Sequence, residues 1–531
     1  MKNYLIFILL VITAVFTSCT NNSSTKKKTI DTSITYANSF NELFLDSIQL
    51  ENFIKEQTEL KVFTEQYQDF YTDRNYEFAW FDKSGANQHT LDFLNLLATT
   101  VADLQDSSLF TKSYLSIQQS IEVIETLEEQ VQKELIITGQ FFQFATKMYK
   151  GSNINTKDLG WYIPRKKIDL KAFLQSTLEP DSTITQQFAL LNQQYKKLQA
   201  NIALYHNIAK KQDWKILVIP QKSIKPKDSS AILPYIKQKL QFLGDAVSKD
   251  TSIYYDSTLL IAIQSFQQRM GLTPDGVIGK QVIEELNVPP NKRIQQILIN
   301  LERMRWMPPQ QNKAYILVNI PEYKMHVIHD GKQQFEMDVI VGTATHNTVI
   351  FSGKLQNIVF SPYWNVPTSI VASEIAPAMR RNKNYLSNKN MEITGYSNGL
   401  PIVRQKPGKN NSLGLVKFLF PNSHSIYFHD TPNRNLFEET KRSFSHGCIR
   451  LAEPKKFAQY LLRADTATIW KSHTIDSVMN LSKEHWVTLK QPIPVLIAYF
   501  TAWVDVNGKL NFRKDIYKHD EKLAAKLFAA E

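Results

Sequence analysis

From about residue 40 to 225, apolar residues recur at three- and four-residue steps, as in Leu91, Phe93, Leu94, Leu96 and Leu97. That period predicts amphipathic helices, and residues 121–135 and 188–203 carry it too. The aromatic-rich stretch 71–81 fits packing better than a ligand site, because no cluster of His, Cys or paired carboxylates accompanies it. Residues 232–243 and 259–270 predict two more helices. Asp275-Gly276 then marks a tight turn, since glycine accepts positive φ and aspartate bonds its own backbone. From residue 314 the pattern becomes strand-like: 314–320, 324–328 with Asp330-Gly331 as a hairpin turn after it, 335–341 and 355–360. Residues 425–429 read as a further strand, 452–463 as a helix, and 495–516 as additional strand signal.

The N-terminus breaks both periods. Residues 4–16 are almost wholly apolar behind Lys2. This run falls short of the roughly 20 residues a spanning helix needs, and it suits an export signal. Phe16-Thr17-Ser18-Cys19 resembles a bacterial lipobox, which implies lipidation at Cys19. The polar residues 20–33, with Lys26-Lys27-Lys28, then read as a flexible tether. The expectation is a periplasmic lipoprotein anchored in one of the two membranes.

Composition adds limits. The chain has 531 residues, 43% hydrophobic and 21% charged, enough for two to four globular domains. The net charge of +12 fits a solvated basic surface as well as attraction to an anionic wall or membrane. No Lys/Arg stripe interleaves with aromatics, so a nucleic-acid partner is not predicted. No metal-ligand spacing is present, so neither a metal nor another cofactor is expected. The chain has two cysteines, Cys19 and Cys448. With Cys19 lipidated, Cys448 has no disulfide partner and becomes a candidate nucleophile.

The neighbours of Cys448 strengthen that reading. His429 is followed after fifteen residues by Ser445-His446-Gly447-Cys448-Ile449-Arg450-Leu451. A thiolate, rather than a thiol, attacks, so Cys448 needs a proton acceptor, and His429 has the right chemistry for one. Tyr427 and His429 share one face of the strand 425–429. Gly447 permits an unusual backbone angle, and the Gly447 and Cys448 amides are placed to stabilise an oxyanion. Arg450 suits a substrate carboxylate held bidentately, or equally a brace for the loop. Asp430, next to His429, is a possible side-chain partner for it.

These residues match the signature of the L,D-transpeptidase (YkuD-type) family, a His, a spacer of about this length and S/T-H-G-C. The stretches 362–367, 411–414, 428–432 and 501–505 are similar to the larger multi-domain Gram-negative members. The F-Q-x-x-x-G-L-x-x-D-G-x-I-G run at 266–279 resembles the small three-helix peptidoglycan-binding module. The resemblance implies a multi-domain α+β chain. Its expected parts are a signal (1–19), a tether (20–39), a helical scaffold (40–228), the peptidoglycan-binding module (229–290) and a mostly-β L,D-transpeptidase catalytic domain (312–475). A mobile cap over the cleft is expected at about 369–411, and residues 476–531 are expected to pack on the scaffold or the catalytic domain. The implied catalytic set is Cys448 as nucleophile, His429 as general base, Gly447 as oxyanion backbone, and His446 shaping the oxyanion side or serving structurally. Arg450, Ser445, Trp364, Asn365 and Tyr427 are the candidate substrate contacts, although a Trp such as Trp364 is more often core. The implied partners are peptidoglycan tetrapeptide stems as donor and acceptor, a membrane through the lipid, and carbapenem-type β-lactams as inhibitors. Water, a D-amino acid or a lipoprotein lysine as acceptor remains open, as does a non-enzymatic wall-binding scaffold. A papain-like order is disfavoured, because there the Cys precedes its His.

Overall fold

The computed structural model describes residues 41–528, apart from 122, 124–125, 166, 180–192, 212–213, 219, 247–250, 309–312 and 464–469. Cys19 and the tether 20–39 lie outside the described residues. The chain divides into two compact units. One runs up to Leu91 and takes in Lys112–Gln140; the other comprises Asp92–Thr111 and everything from Phe141 onward.

The first unit holds α1 (Ser47–Glu56), α2 (Thr64–Asp73) and parts of α3 (Gln88–Leu104) and α4 (Leu127–Lys150). A capping box at Asp46 starts α1, with Asp46 accepting from the Gln49 amide and Gln49 from the Asp46 amide. The expected helix 121–135 is instead α4, which starts at Leu127 and runs on to Lys150. Glu128 and Glu129 lie in its first turn and Lys147 and Lys150 in its last, each complementing the helix dipole. The aromatic stretch 71–81 packs as expected, with Tyr71, Phe78, Trp80 and Phe81 buried. Buried Glu134 organises it: Oε1 accepts from the Ala79 amide (2.7 Å) and the Tyr71 hydroxyl (2.9 Å), and Oε2 from the Trp80 amide (3.0 Å).

In the second unit α5 (Gln193–Lys211) precedes a three-helix module of α6 (Leu233–Phe242), α7 (Ser257–Arg269) and α8 (Lys280–Asn287). The module's turn is built by Gln267. Its amide oxygen accepts from the Gly276 amide (2.8 Å), and its nitrogen donates to Asp275 Oδ1 (2.7 Å) and the Val277 carbonyl (3.1 Å). Gly276 takes the left-handed φ of +74° that this turn requires. The long helix α9 (Pro290–Trp306) follows. Arg305 of α9 donates to Tyr195 of α5 (2.8 Å) and Tyr205 of α5 meets Phe512 edge-on, so α5 lies in this unit, together with the later parts of α3 and α4.

The sheet comprises β1 (Ala314–Asn319), β2 (Lys324–His329), β3 (Lys332–Gly342), β4 (Phe351–Phe360), and then, past the separate strands β5 (Trp364–Asn365), β6 (Met391–Ser397) and β7 (Leu400–Gln405), the strands β8 (Val416–Leu419), β9 (Phe428–His429), β10 (Ser443–Ser445), β11 (Ile449–Leu451) and β12 (His485–Ala498). Asp330 and Gly331 both adopt positive φ, which matches the right-handed twist of the β2–β3 hairpin. The nine strands lie in the order β10-β3-β11-β9-β8-β4-β12-β1-β2, and β2 pairs again with β3, so all but β10 close into a ring. Helix α10 (Pro454–Leu462) covers one face, where Phe457 packs on Phe418 and Phe428.

The division at residue 475 does not follow this sheet. β12 lies between β4 and β1, antiparallel to the first and parallel to the second. Its end, Val495, Leu496, Ile497 and Ala498, is one continuous buried run, as expected of a strand covered on both faces. Beyond it come a short hairpin of β13 (Ala502–Val504) and β14 (Leu510–Phe512) and helix α11 (His519–Leu527). These pack on α9, where Asn300 exchanges two hydrogen bonds with Thr501 (2.8 and 2.9 Å) and Arg303 pairs with Asp520.

Candidate active site

The strand expected over 425–429 is shorter. Asn422 closes a turn by donating to the Phe420 and Ile426 carbonyls and accepting from the His424 amide. Ser425 takes a left-handed φ of +55°, so regular pairing begins only near Tyr427. β9 then runs parallel to β11, with Phe428 opposite Ile449 and His429 opposite Arg450. Paired residues share a face and successive ones alternate. Phe428 and Ile449 therefore point into the core, while Tyr427, Cys448, His429 and Arg450 occupy the other face.

His429 is 5% exposed, and its Nδ1 lies 2.6 Å from the Asp430 carbonyl. A carbonyl only accepts, so Nδ1 carries the proton and Nε2 keeps its lone pair. Burial, reinforced by the Arg450 charge, lowers the imidazole to about 3, which keeps it neutral at physiological pH. The Asp430 carboxylate is occupied elsewhere. It accepts from the Leu415 amide (2.8 Å) and the Thr431 amide (2.7 Å) and pairs with Arg434. Gly414 gives it room, since a Cβ there would collide with the Asp430 carboxyl.

Cys448 is half-buried and unbridged. Its thiol donates to the Ser425 carbonyl (3.6 Å), and the Tyr427 hydroxyl hydrogen-bonds to it. Burial pushes the thiol above its ordinary value, and Tyr427 and Arg450 pull it only partly back. The resting pair is thus a neutral thiol and a neutral imidazole.

Two expected roles change. Ser445 does not face the cleft: it is buried, its hydroxyl donates to the Cys448 carbonyl (2.5 Å) and accepts from the Gly447 amide (3.1 Å). That bond also occupies the Gly447 amide, which is therefore not free as the oxyanion donor expected. Gly447 itself has φ +110°, a conformation other residues avoid.

The remaining candidates separate. Arg450 forms no ion pair among the described residues, and its Nε is buried without a hydrogen-bond partner. His446 is exposed, with Nε2 3.5 Å from Glu374 and its ring 5.0 Å from that of His346. Trp364 and Asn365 form β5 at the edge of the three-stranded sheet β5-β7-β6. Trp364 packs against a small apolar cluster of Val366, Val371, Ile375 and Val403, the core role weighed for it, while Asn365 is exposed. Residues 371–375 form a π-helical turn that carries Glu374, a distortion frequent at functional sites. Asn411 ties the two ends of the segment carrying this small sheet together by donating to the Pro362 and Lys406 carbonyls (3.1 and 2.9 Å).

Sequence reasoning missed Thr348 and Tyr517, which brace the Gly447 loop from outside the motif. Among the described residues no group of three His, Cys, Asp or Glu side chains is placed to hold a metal ion.

Residues 313–469 match the L,D-transpeptidase catalytic domain (YkuD) family model, 65–202 a scaffold domain and 233–286 a peptidoglycan binding domain. A Haemophilus influenzae protein named "Putative L,D-transpeptidase" is 31% identical over 301 residues, which span 53% of this chain and 59% of that relative. Solved L,D-transpeptidases from Stackebrandtia nassauensis (14% identity, 53% of this chain and 97% of that one, TM-score 0.22) and Mycobacterium smegmatis (13%, 35% and 58%, TM-score 0.19) superpose too loosely to carry an argument. On the sequence matches, residues 313–469 are an L,D-transpeptidase catalytic domain of the YkuD family, in a chain that also carries scaffold and peptidoglycan-binding domains.

Proposed function

We propose that this protein is an L,D-transpeptidase that joins peptidoglycan stems through a Cys448 thioester. The observation that carries the reading is the shared face of Cys448 and His429, with the His429 tautomer fixed so that Nε2 is the free base. As the sulfur attacks the carbonyl at the L-centre of the third stem residue of a tetrapeptide donor, His429 Nε2 takes the thiol proton. The Cys448 amide stabilises the oxyanion, a contribution typically on the order of 100-fold or more. The C–N bond then breaks, His429 returns the proton to the departing D-alanine amine, and a thioester remains. The side-chain amine of a second stem attacks the thioester, gives its proton to His429 and releases the thiol, leaving a 3→3 cross-link.

The peptidoglycan-binding module is suited to hold the enzyme on its polymer, and the segment 369–411 to act as a lid over the cleft, with Glu374 beside His446 as its point of contact. Residues 4–16 and Cys19 support a lipid-anchored periplasmic location. A strained β-lactam amide meets the same chemistry, so carbapenems are expected to open onto Cys448. The test is the intact mass after carbapenem treatment. One adduct, absent in Cys448→Ala, supports the assignment; no adduct on the folded protein contradicts it.

A further inference from the structure

The Gly447 carbonyl is held from outside the motif. Thr348, 1% exposed, donates its hydroxyl to that carbonyl (2.8 Å) and accepts from the Gly342 amide (2.9 Å). Tyr517, past the end of the ring sheet, donates to the Gly342 carbonyl (2.6 Å) and accepts from the Thr348 amide (3.3 Å). Tyr517 is fixed in turn, because its own amide donates to the Tyr499 hydroxyl (2.9 Å), which donates to Asp515 (2.6 Å). Gly342 makes the approach possible: any Cβ there would collide with the backbone of His346 and Thr348. These bonds do not touch Cys448, yet they bear on it through covalent geometry. In a trans peptide the C=O of one residue and the N–H of the next point in opposite directions. A bond that fixes the Gly447 carbonyl therefore fixes where the Cys448 N–H points. With the Gly447 amide occupied by Ser445, the Cys448 amide is the donor whose aim matters.

We propose that Thr348, clamped by Tyr517, is a positioning residue that aims the Cys448 amide at the oxyanion by holding the Gly447 carbonyl. The inference rests on the acyl-transfer reading of Cys448. It gives the C-terminal residues a role in the chemistry although they contact neither thiol nor substrate.

Two reactions of one thiol test it. Carbapenem acylation passes through an oxyanion; alkylation by iodoacetamide does not. On the full-length protein, Thr348→Val is expected to slow acylation about 100-fold, the scale of one lost oxyanion donor, with alkylation within about twofold of wild type. Thr348→Ser, which keeps the hydroxyl, is expected to restore acylation, and Tyr517→Phe to lower it by a smaller factor while sparing alkylation. Equal acylation by Thr348→Val and wild type overturns the proposal alone. So does a parallel fall in both reactions that Thr348→Ser fails to rescue, since that marks general loop damage. A wild-type protein that is alkylated but never acylated overturns the acyl-transfer reading, and this proposal with it.

Discussion

His429 Nδ1 is bonded to the backbone carbonyl of Asp430, while the carboxylate of the same residue turns away to the Leu415 and Thr431 amides and Arg434. The His429 ring is oriented by main chain, and the adjacent acid stabilises the loop. Asp430→Asn is therefore expected to lower stability by about 1–3 kcal/mol, because one buried backbone donor loses its acceptor, and to leave the acylation rate within a few-fold. His429→Ala is expected to lower that rate by about 100- to 10,000-fold. Thermal melting alongside carbapenem acylation separates the two. A rate loss in Asp430→Asn close to that of His429→Ala would make the carboxylate part of the catalytic relay.

The neutral thiol–imidazole pair sets a pH signature. Burial holds His429 low, at about 3, and raises Cys448 above the ordinary thiol value. A protonated thiol is unreactive, so raising its pKa moves the onset of reactivity to higher pH. Alkylation of Cys448 by iodoacetamide, followed from pH 5 to 10, should climb throughout and turn over only above the ordinary thiol range near 8.5–9. A plateau already reached by pH 6 would mean a thiolate–imidazolium pair.

Ser445 is a strut between the Gly447 amide and the Cys448 carbonyl, not a wall of the cleft. Ser445→Ala should lower kcat about tenfold or more at nearly constant KM, the pattern of an interaction used in the transition state. A rise in KM alone would return Ser445 to substrate binding.

Much of this was legible from residues. Hydrophobic period gave several helices, such as α6 and α7, and the first hairpin, though not α9 or α11, and the His429 and Ser445–Cys448 spacing gave the pair that the parallel β9–β11 register brings to one face. What was hidden depends on the third dimension. The strand before His429 is cut short by the positive φ of Ser425, which no alternation pattern encodes. β12 reads as a tail because its partners β4 and β1 lie more than a hundred residues earlier. Thr348 and Tyr517 carry no motif and meet across 169 residues; Gly342, the position that admits their contact, looks like any glycine at a strand end.

The first unit offers a test independent of catalysis. Burial raises Glu134 to about 6 against the pull of the Ala79, Trp80 and Tyr71 donors. A folded-state value above the unfolded one makes the contribution fullest below about 4.5 and lost as pH rises through 6, a change of about 2 kcal/mol. Glu134→Gln should remove that slope in denaturant melts of the protein. It should also lower stability at every pH, because one amide oxygen cannot serve all three donors. A slope that persists in Glu134→Gln would place the titration on another group.

The most direct measurement is mass spectrometry of the products formed from purified tetrapeptide muropeptides, with Cys448→Ala as control. Dimers joined 3→3 with release of D-alanine are expected, both absent in the control. Tripeptide alone would make water the acceptor and the protein a carboxypeptidase on the same thiol. Dimers that persist in Cys448→Ala, or substrate left unchanged by the wild-type protein, would contradict the thioester mechanism.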